Sequence, residues 1–394
     1  SGCTADGTYI KNFLFFWSGV NRAEARGNEL VNFGADSSIS NDVAAYALAA
    51  YDFSHGSGLA PDNIVFANNV IVNPRSVGIY IAAGNRVTCV GNLINGQIDT
   101  VITTLPKGGI ATPGCAVLTL EGNSIDNCVY GVMCLQPPTA TYGNNPTYAV
   151  INNTSITNIP ANGFGLIVGG TGAGSANSIV VDGIMIDDNG NSGATALRIA
   201  AESVAGITNL LINNFKIRTA NTGVIVFSGD SSTPAIGNMR ISNGVIQGAS
   251  NYGMNLSPCT LSTQRIVVEN VMFTSPVAGA ALFFINGVVS INVRNLTFCD
   301  MTTGSSFCWY ATGAQGTVEG VRYQNVAAAR RFSGSGNELG STTPIGVFSG
   351  QPSDFIQNLA PTETGTAGSK YIIAGWTYDQ PNSAWKQNRT LTGN

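Results

Sequence analysis

One phrase recurs through the chain about every thirty residues: a short apolar strand, a polar pair ending in Asn or Gly, and a second short apolar strand. It reads "IVFANNVIV", "VTCVGNLI", "LTLEGNSI", "AVINNTSI", "IVVDGIMI", "LLINNFKI", "MRISNGVI", "IVVENVMF", "INVRNLTF" and "VRYQNVA". Its corner position falls on Asn69, Asn92, Asn123, Asn153, Gly183, Asn214, Asn243, Asn270, Asn295 and Asn325. After a polar turn comes a further strand opened by Gly or another small residue, as in "VGIYIAAG", "YGVMCLQP", "GFGLIVGG" and "TGVIVFSGD". A strand of four or five residues cannot bury its apolar face alone, whereas equivalent strands stacked from successive coils can. Stacking sets each strand about 4.8 Å from its equivalent in the next coil and lets corner amides bond along the axis. Asn and Gly also tolerate the left-handed backbone that a tight corner needs. Leucine-rich repeats would require Leu at fixed spacing and a helical return, and a propeller would alternate antiparallel strands over a longer period. Neither pattern is present, nor is a 3.6-residue apolar period. The expected fold is all-β: a right-handed parallel β-helix of ten or more coils.

Composition excludes several functions. Charged residues make up 10% of the 394, and the formal net charge is -4 with no basic block. A nucleic-acid binder needs a stripe of cations to neutralise phosphates, so that partner is not expected. No apolar run reaches the length of a membrane span. The eight Cys form no CxxC pair and read as buried free thiols of a chain made in a reducing cytosol. The single His, His55, sits in the loop-like "YDFSHGSGLA", which removes imidazole-cluster metal sites. No metal and no cofactor is expected.

Three regions are expected. Residues 1–60 read as irregular entry coils with an insertion loop. There "YIKNFLFF" resembles a coil cornered at Asn12, and "ISNDVAAYALAAYD" has room for one or two helical turns. Residues 61–335 are the β-helix, with "TTLPKGGIATPG" and "LQPPTATYGNNPTY" read as loops. Residues 336–394 hold a linker and a short β-rich cap with strands "KYIIAGWTY" and "AWKQNRTL", since an open coil edge must be covered.

Aligned coils place equivalent residues above one another, so chemistry is set by coil number. The outward position beside the corner reads Glu121, Asn152, Asp182, Asn213, Ser242, Glu269, Arg294 and Gln324. Glu121 and Asp182 are two coils apart, a backbone distance of roughly 9.5 Å. Side chains can bring that into the roughly 6.5–9.5 Å of an inverting glycosidase, one acid protonating the leaving oxygen and the other activating water. The row two residues earlier, with Val150, Val180, Leu211 and Val267, is apolar and outward, which equally fits a subunit interface holding both acids. The next turn carries Asp126, Asp187, Asp188 and Asp300. Turns favour Asp for structural reasons, yet Asp182, Asp187 and Asp188 stand out in a chain with only 22 acids. The further strand presents Tyr80, Thr103, Met133, Ile167, Arg198, Ile225, Asn255, Phe283 and Trp309, with Glu202 and Asp230 just beyond. Tyr80, Arg198 and Trp309 are candidates to bind a sugar; the aromatic residues equally suit an interface. "DDNGN" near Arg198 is a thin version of a calcium-dependent lyase site, and the six to eight oxygens calcium takes cannot be assembled from the sequence.

The Asn-cornered coils resemble the pectate-lyase-like β-helices of bacteriophage tailspikes and tail-fibre depolymerases, over about 270 residues. The closing run with Trp376, Trp385, Arg389 and the final "LTGN" is similar to C-terminal ends of phage and prophage tail proteins, over about 35 residues. The resemblance implies a homotrimer on the virion tail, made in the host cytoplasm and acting outside the cell. It implies a capsular or exopolysaccharide substrate and endo-depolymerase activity. The family's virion-attachment region is not recognisable, so contact with tail or baseplate proteins is expected through a missing N-terminal region. The favoured chemistry is glycosidic hydrolysis by carboxylates drawn from Glu121, Asp182, Asp187, Asp188 and Glu202. The alternatives are a polysaccharide lyase, in which Arg or Lys neutralises a uronate, a fibre that only binds glycan, and a purely structural solenoid.

Overall fold

The computed structural model describes residues 2–7, 12–16, 19–33, 46–50, 60–98, 107–134, 148–170, 176–201, 207–227, 236–256, 265–276, 281–286, 291–301, 307–312, 316–326, 332–333, 355–357, 362–379 and 384–393. They form a parallel β-solenoid of the right-handed type, with no helix among the described residues. A representative coil has strands Cys115–Glu121, Ser124–Asp126 and Tyr130–Cys134. The first two belong to a 20-stranded sheet and the third to a 12-stranded sheet facing it. In later coils the first two strands merge, as in Ile207–Arg218 and Ile236–Gln247. Pairing begins as early as Thr4–Asp6, which lies parallel to Glu29–Val31, so the entry coils are in register with the rest.

Strand alternation sends every second side chain inward. Leu120, Ile151, Val181, Ile212, Ile241 and Val268 stack in one interior column. Ile94, Ile125, Ile156 and Ile186 form another. All are buried. Burying each such side chain contributes about 1.5–3 kcal/mol. The third strands open on Gly78, Gly109, Gly131 and Gly165, which face the same interior. A Cβ on them would lie 2.8, 2.9, 2.5 and 2.5 Å from a carbonyl oxygen of the next coil. At these four positions one strand spacing leaves no room for a Cβ.

The corner consists of two adjacent columns. Asn68, Gly91, Gly122, Asn153, Gly183, Asn214, Asn243, Asn270, Asn295 and Gly320 all have left-handed backbone. The next residue points inward, and in the early coils it is Asn. Asn28 Nδ2 donates to Asn69 Oδ1 (2.8 Å), Asn69 Nδ2 to Asn92 Oδ1 (2.9 Å) and Asn92 Nδ2 to Asn123 Oδ1 (2.9 Å). Each of those oxygens also accepts the backbone N–H of the residue donating to it. This buried ladder gives way to Thr154, Ile184 and Phe215.

The expected corner series therefore mixes two columns. Asn69, Asn92 and Asn123 belong to the buried ladder, one residue past the left-handed position held by Asn153 and the later Asn. Asn325 sits at the coil's second bend, donating to Asp300 Oδ1 (3.1 Å), and Gly320 takes the corner. Asn12 opens a strand of the 12-stranded sheet, Asn12–Phe16, and is no corner. The helical turns expected within residues 39–52 do not extend into Tyr46–Ala50, which is a strand. There Leu48 pairs with Leu14 and Ile79, and stacking overrides the helix preference of Ala. Part of the expected loop "TTLPKGGIATPG" is the buried strand Gly108–Ala111, whose Gly109 continues the Gly78 column. At the C-terminal end Phe355–Gln357, Glu363–Thr364, Lys370–Asp379 and Ala384–Gly393 form a separate antiparallel 4-stranded sheet with Trp376 buried.

The described cysteines are free thiols, buried except for Cys3, and Cys259 lies outside the described residues. Burial pushes Cys134 up to about 11 and Cys128 to about 12. Such thiols stay protonated in the folded chain. Their contribution to stability is whole below about pH 8.5, the ordinary thiol value, and is lost as pH rises through the native values. Iodoacetamide at neutral pH is expected to label Cys3 and spare Cys89, Cys115, Cys128 and Cys134, by peptide mapping. Asn92→Ala removes the acceptor of two buried N–H groups of Asn69 and is expected to cost about 3 kcal/mol or more. Asn153→Ala is expected to cost about 1–2 kcal/mol, mainly left-handed backbone strain. Urea unfolding in which Asn153→Ala is the more damaging of the two would show that the buried ladder is not the main corner interaction.

Candidate functional site

The residue before the left-handed corner faces outward, and register links these residues into one column. It runs Glu121, Asn152, Asp182, Asn213, Ser242, Glu269, Arg294 and Glu319. Glu319 takes the place expected for Gln324, which pairs instead with Cys299 in the neighbouring strand row. Glu121 Oε1 accepts from Asn153 Nδ2 (3.0 Å), and Asp182 Oδ1 accepts from Asn213 Nδ2 (3.1 Å) and Asn214 Nδ2 (2.8 Å). Both carboxylates thus take donors from the following coil. They lean the same way, so their separation stays near two strand spacings, about 9.6 Å.

Asp187 and Asp188 lie at the second bend, past the short strand Met185–Asp187 that separates them from Asp182. The structure therefore divides the expected acidic cluster between two bends. Asp187 faces out and pairs with Arg218 Nε (2.9 Å). Asp188 is 0% exposed. Its carboxylate accepts from Thr219 Oγ1 (2.6 Å) and from the backbone N–H groups of Gly190 (2.9 Å) and Ala220 (2.9 Å). Those donors occupy the oxygens that a metal or a substrate would need. Asp126 likewise accepts from Thr157 Oγ1 (2.6 Å) and Asn158 Nδ2 (2.5 Å). Glu202 and Asp230 lie outside the described residues.

The outward column of the third strands differs from expectation at three places. Register runs from Tyr80 through Ala111, where Thr103 was expected, to Met133, Ile167, Arg198, Ile225 and Asn255. It continues through Phe284 and Tyr310; Phe283 pairs with Met254 and Trp309. Leu282 breaks the glycine column there, so the frame slips by one residue in the sequence. Phe283 is a core residue, and the side chain of Trp309 lies outside the described residues. Tyr80 is 1% exposed, stacked on Tyr46 at 4.1 Å, so its ring face is not open to a sugar. Arg198 is half-buried with its guanidinium 5.2 Å above the Phe164 ring, which stacks on Tyr130.

Sequence reasoning passed over a groove on the outer face of the 20-stranded sheet, enclosing about 380 Å³. Ser178, Asn209, Asn238, Arg240, Arg265, Glu269, Asn292 and Arg294 supply its polar lining. Arg240 Nε donates to Glu269 Oε1 (2.9 Å), and Asn238 Nδ2 to Asn209 Oδ1 (3.1 Å). Arg240 stands in the otherwise apolar row of Val150, Val180, Leu211 and Val267. A cation interrupting an apolar row was the available signal. No family model matches this chain, and no curated protein or solved structure does either.

Asp188→Asn replaces one of two accepting oxygens by an NH2 that faces two of these donors, and is expected to cost about 2–4 kcal/mol. Asp187→Asn loses a surface pair and is expected to cost about 0–1 kcal/mol. Thermal unfolding of the two variants measures the difference; equal losses would mean that Asp188 is not a structural carboxylate.

Proposed function

We propose that this chain is the body of a phage tailspike that engages a bacterial surface polysaccharide along the outer face of its 20-stranded sheet. The observation that carries this reading is the polar column from Glu121 to Glu319, parallel to the solenoid axis and bordering the groove. A linear polymer of hydroxyls laid along the axis meets a donor or acceptor at most coils, which succeed one another about every 4.8 Å. A small apolar ligand would instead call for an enclosed apolar pocket. The phage assignment rests on the resemblance of the Asn-cornered coils and the closing run. On this reading the chain forms a homotrimer on the virion tail, joined to tail or baseplate proteins. Exposed Val117 and Tyr148, beside half-buried Val150 and Val180, supply apolar surface for contacts between copies. The antiparallel C-terminal sheet is the element that would cover the open coil edge.

A second reading, hydrolysis of the bound polymer, is favoured by the separation of Glu121 and Asp182. Their spacing of about 9.6 Å is just past the roughly 6.5–9.5 Å that leaves room for a water in an inverting mechanism, within reach of a small side-chain movement. One carboxyl would protonate the leaving glycosidic oxygen as its bond to the anomeric carbon breaks. The other would take a proton from the water that attacks from the opposite face. A lyase would use Arg or Lys to neutralise a uronate and would leave an unsaturated product.

Affinity electrophoresis against capsular polysaccharides from a panel of bacteria is expected to retain at least one; retention of none overturns the binding reading. Hydrolysis predicts new reducing ends without ultraviolet absorbance. Glu121→Gln and Asp182→Asn are each expected to abolish these while retention persists. Reducing ends with absorbance would mark a lyase, and retention with neither a binding fibre.

A further inference from the structure

We propose that the groove selects an acidic polysaccharide, with Arg265 taking a carboxylate of the bound chain; this rests on the glycan-binding reading above. The lining carries three guanidinium groups, Arg240, Arg265 and Arg294, against one carboxylate, Glu269. Arg240 is engaged by Glu269, and Arg294 lies 3.7 Å from Glu319. Arg265 differs. It is exposed at the start of strand Arg265–Thr274 and has no ion pair among the described residues. In a chain of net charge -4, a cation inside a groove with no ion pair among the described residues is not background.

The chemistry of the surroundings selects the ligand. Arg265 pairs in register with Asn238, whose amide is bonded to Asn209 one coil back. A guanidinium beside a stacked amide pair offers a planar fork for a carboxylate and neighbouring polar atoms for hydroxyls. The Arg240–Glu269 pair shows that a carboxylate fits against a guanidinium in this same groove. A nucleic acid is disfavoured. It presents a phosphate at every nucleotide and needs a continuous row of free cations, whereas Glu269 and Glu319 alternate with the arginines here. A polymer with intermittent carboxylates suits one free guanidinium.

The test uses the full chain and an array of acidic and neutral bacterial surface polysaccharides, each also in its carboxyl-reduced form. Acidic polymers are expected to be retained and their reduced forms released. Arg265→Ala is expected to weaken retention about tenfold, as for loss of one charge-assisted hydrogen bond. Arg265→Lys is expected to recover part of it. Retention of neutral polymers, equal retention of reduced forms, or unchanged binding by Arg265→Ala overturns the proposal and leaves glycan binding standing. Retention of nothing overturns both. Thermal unfolding checks that Arg265→Ala folds; should it fail, Arg265→Lys and the reduced polymers still decide.

Discussion

The rest of the structure depends on a steric constraint: each coil must lie one strand spacing from the next around its whole perimeter. One tight place is the entry to the third strand, where Gly131 has no room for a Cβ beneath the carbonyl of Gly165. Close approach there fixes coil on coil, and the fixed superposition makes columns of everything else. Interior isoleucines stack on isoleucines, amides on amides, and outward polar residues on outward polar residues. At Ala196 the column does accept a methyl group. The constraint is therefore local steric fit, not a rule of composition.

Column formation also explains what happens to charge. Glu121, Asp126, Asp182 and Asp300 each accept from an Asn of the following coil, so acids and amides are interchangeable rungs of the same ladder. These four carboxylates are held by neutral donors. The few arginines then stand free to pair across coils, as Arg240 and Arg218 do. Most acidic residues that attract attention in the sequence are thereby given structural bonds.

The fold was legible because the recurring phrase admits few ways of burying four-residue strands. The frame was less so. Asn is called for at two neighbouring positions for unrelated reasons, left-handed backbone at Asn68 and a buried amide at Asn69. In a structure with a two-residue period, a slip of one exchanges faces, which is how Phe283 came to be placed outside, in the position that belongs to Phe284. The site was harder still. Asp188 reads as a surface turn residue, and its donors arrive from Thr219 and Ala220, a full coil later. The arginines of the groove come from separate coils with nothing local to connect them.

The change of corner residue at Thr154 gives the early and late corners different temperature responses. Before it, the inward corner is a chain of amides held by hydrogen bonds. After it, Ile184, Phe215, Val271 and Leu296 fill the same column. Apolar burial carries a large heat-capacity change and weakens on cooling. Near freezing the later corners lose part of their driving force while the amide corners keep theirs, so one repeat carries two kinds of corner with different responses to cold.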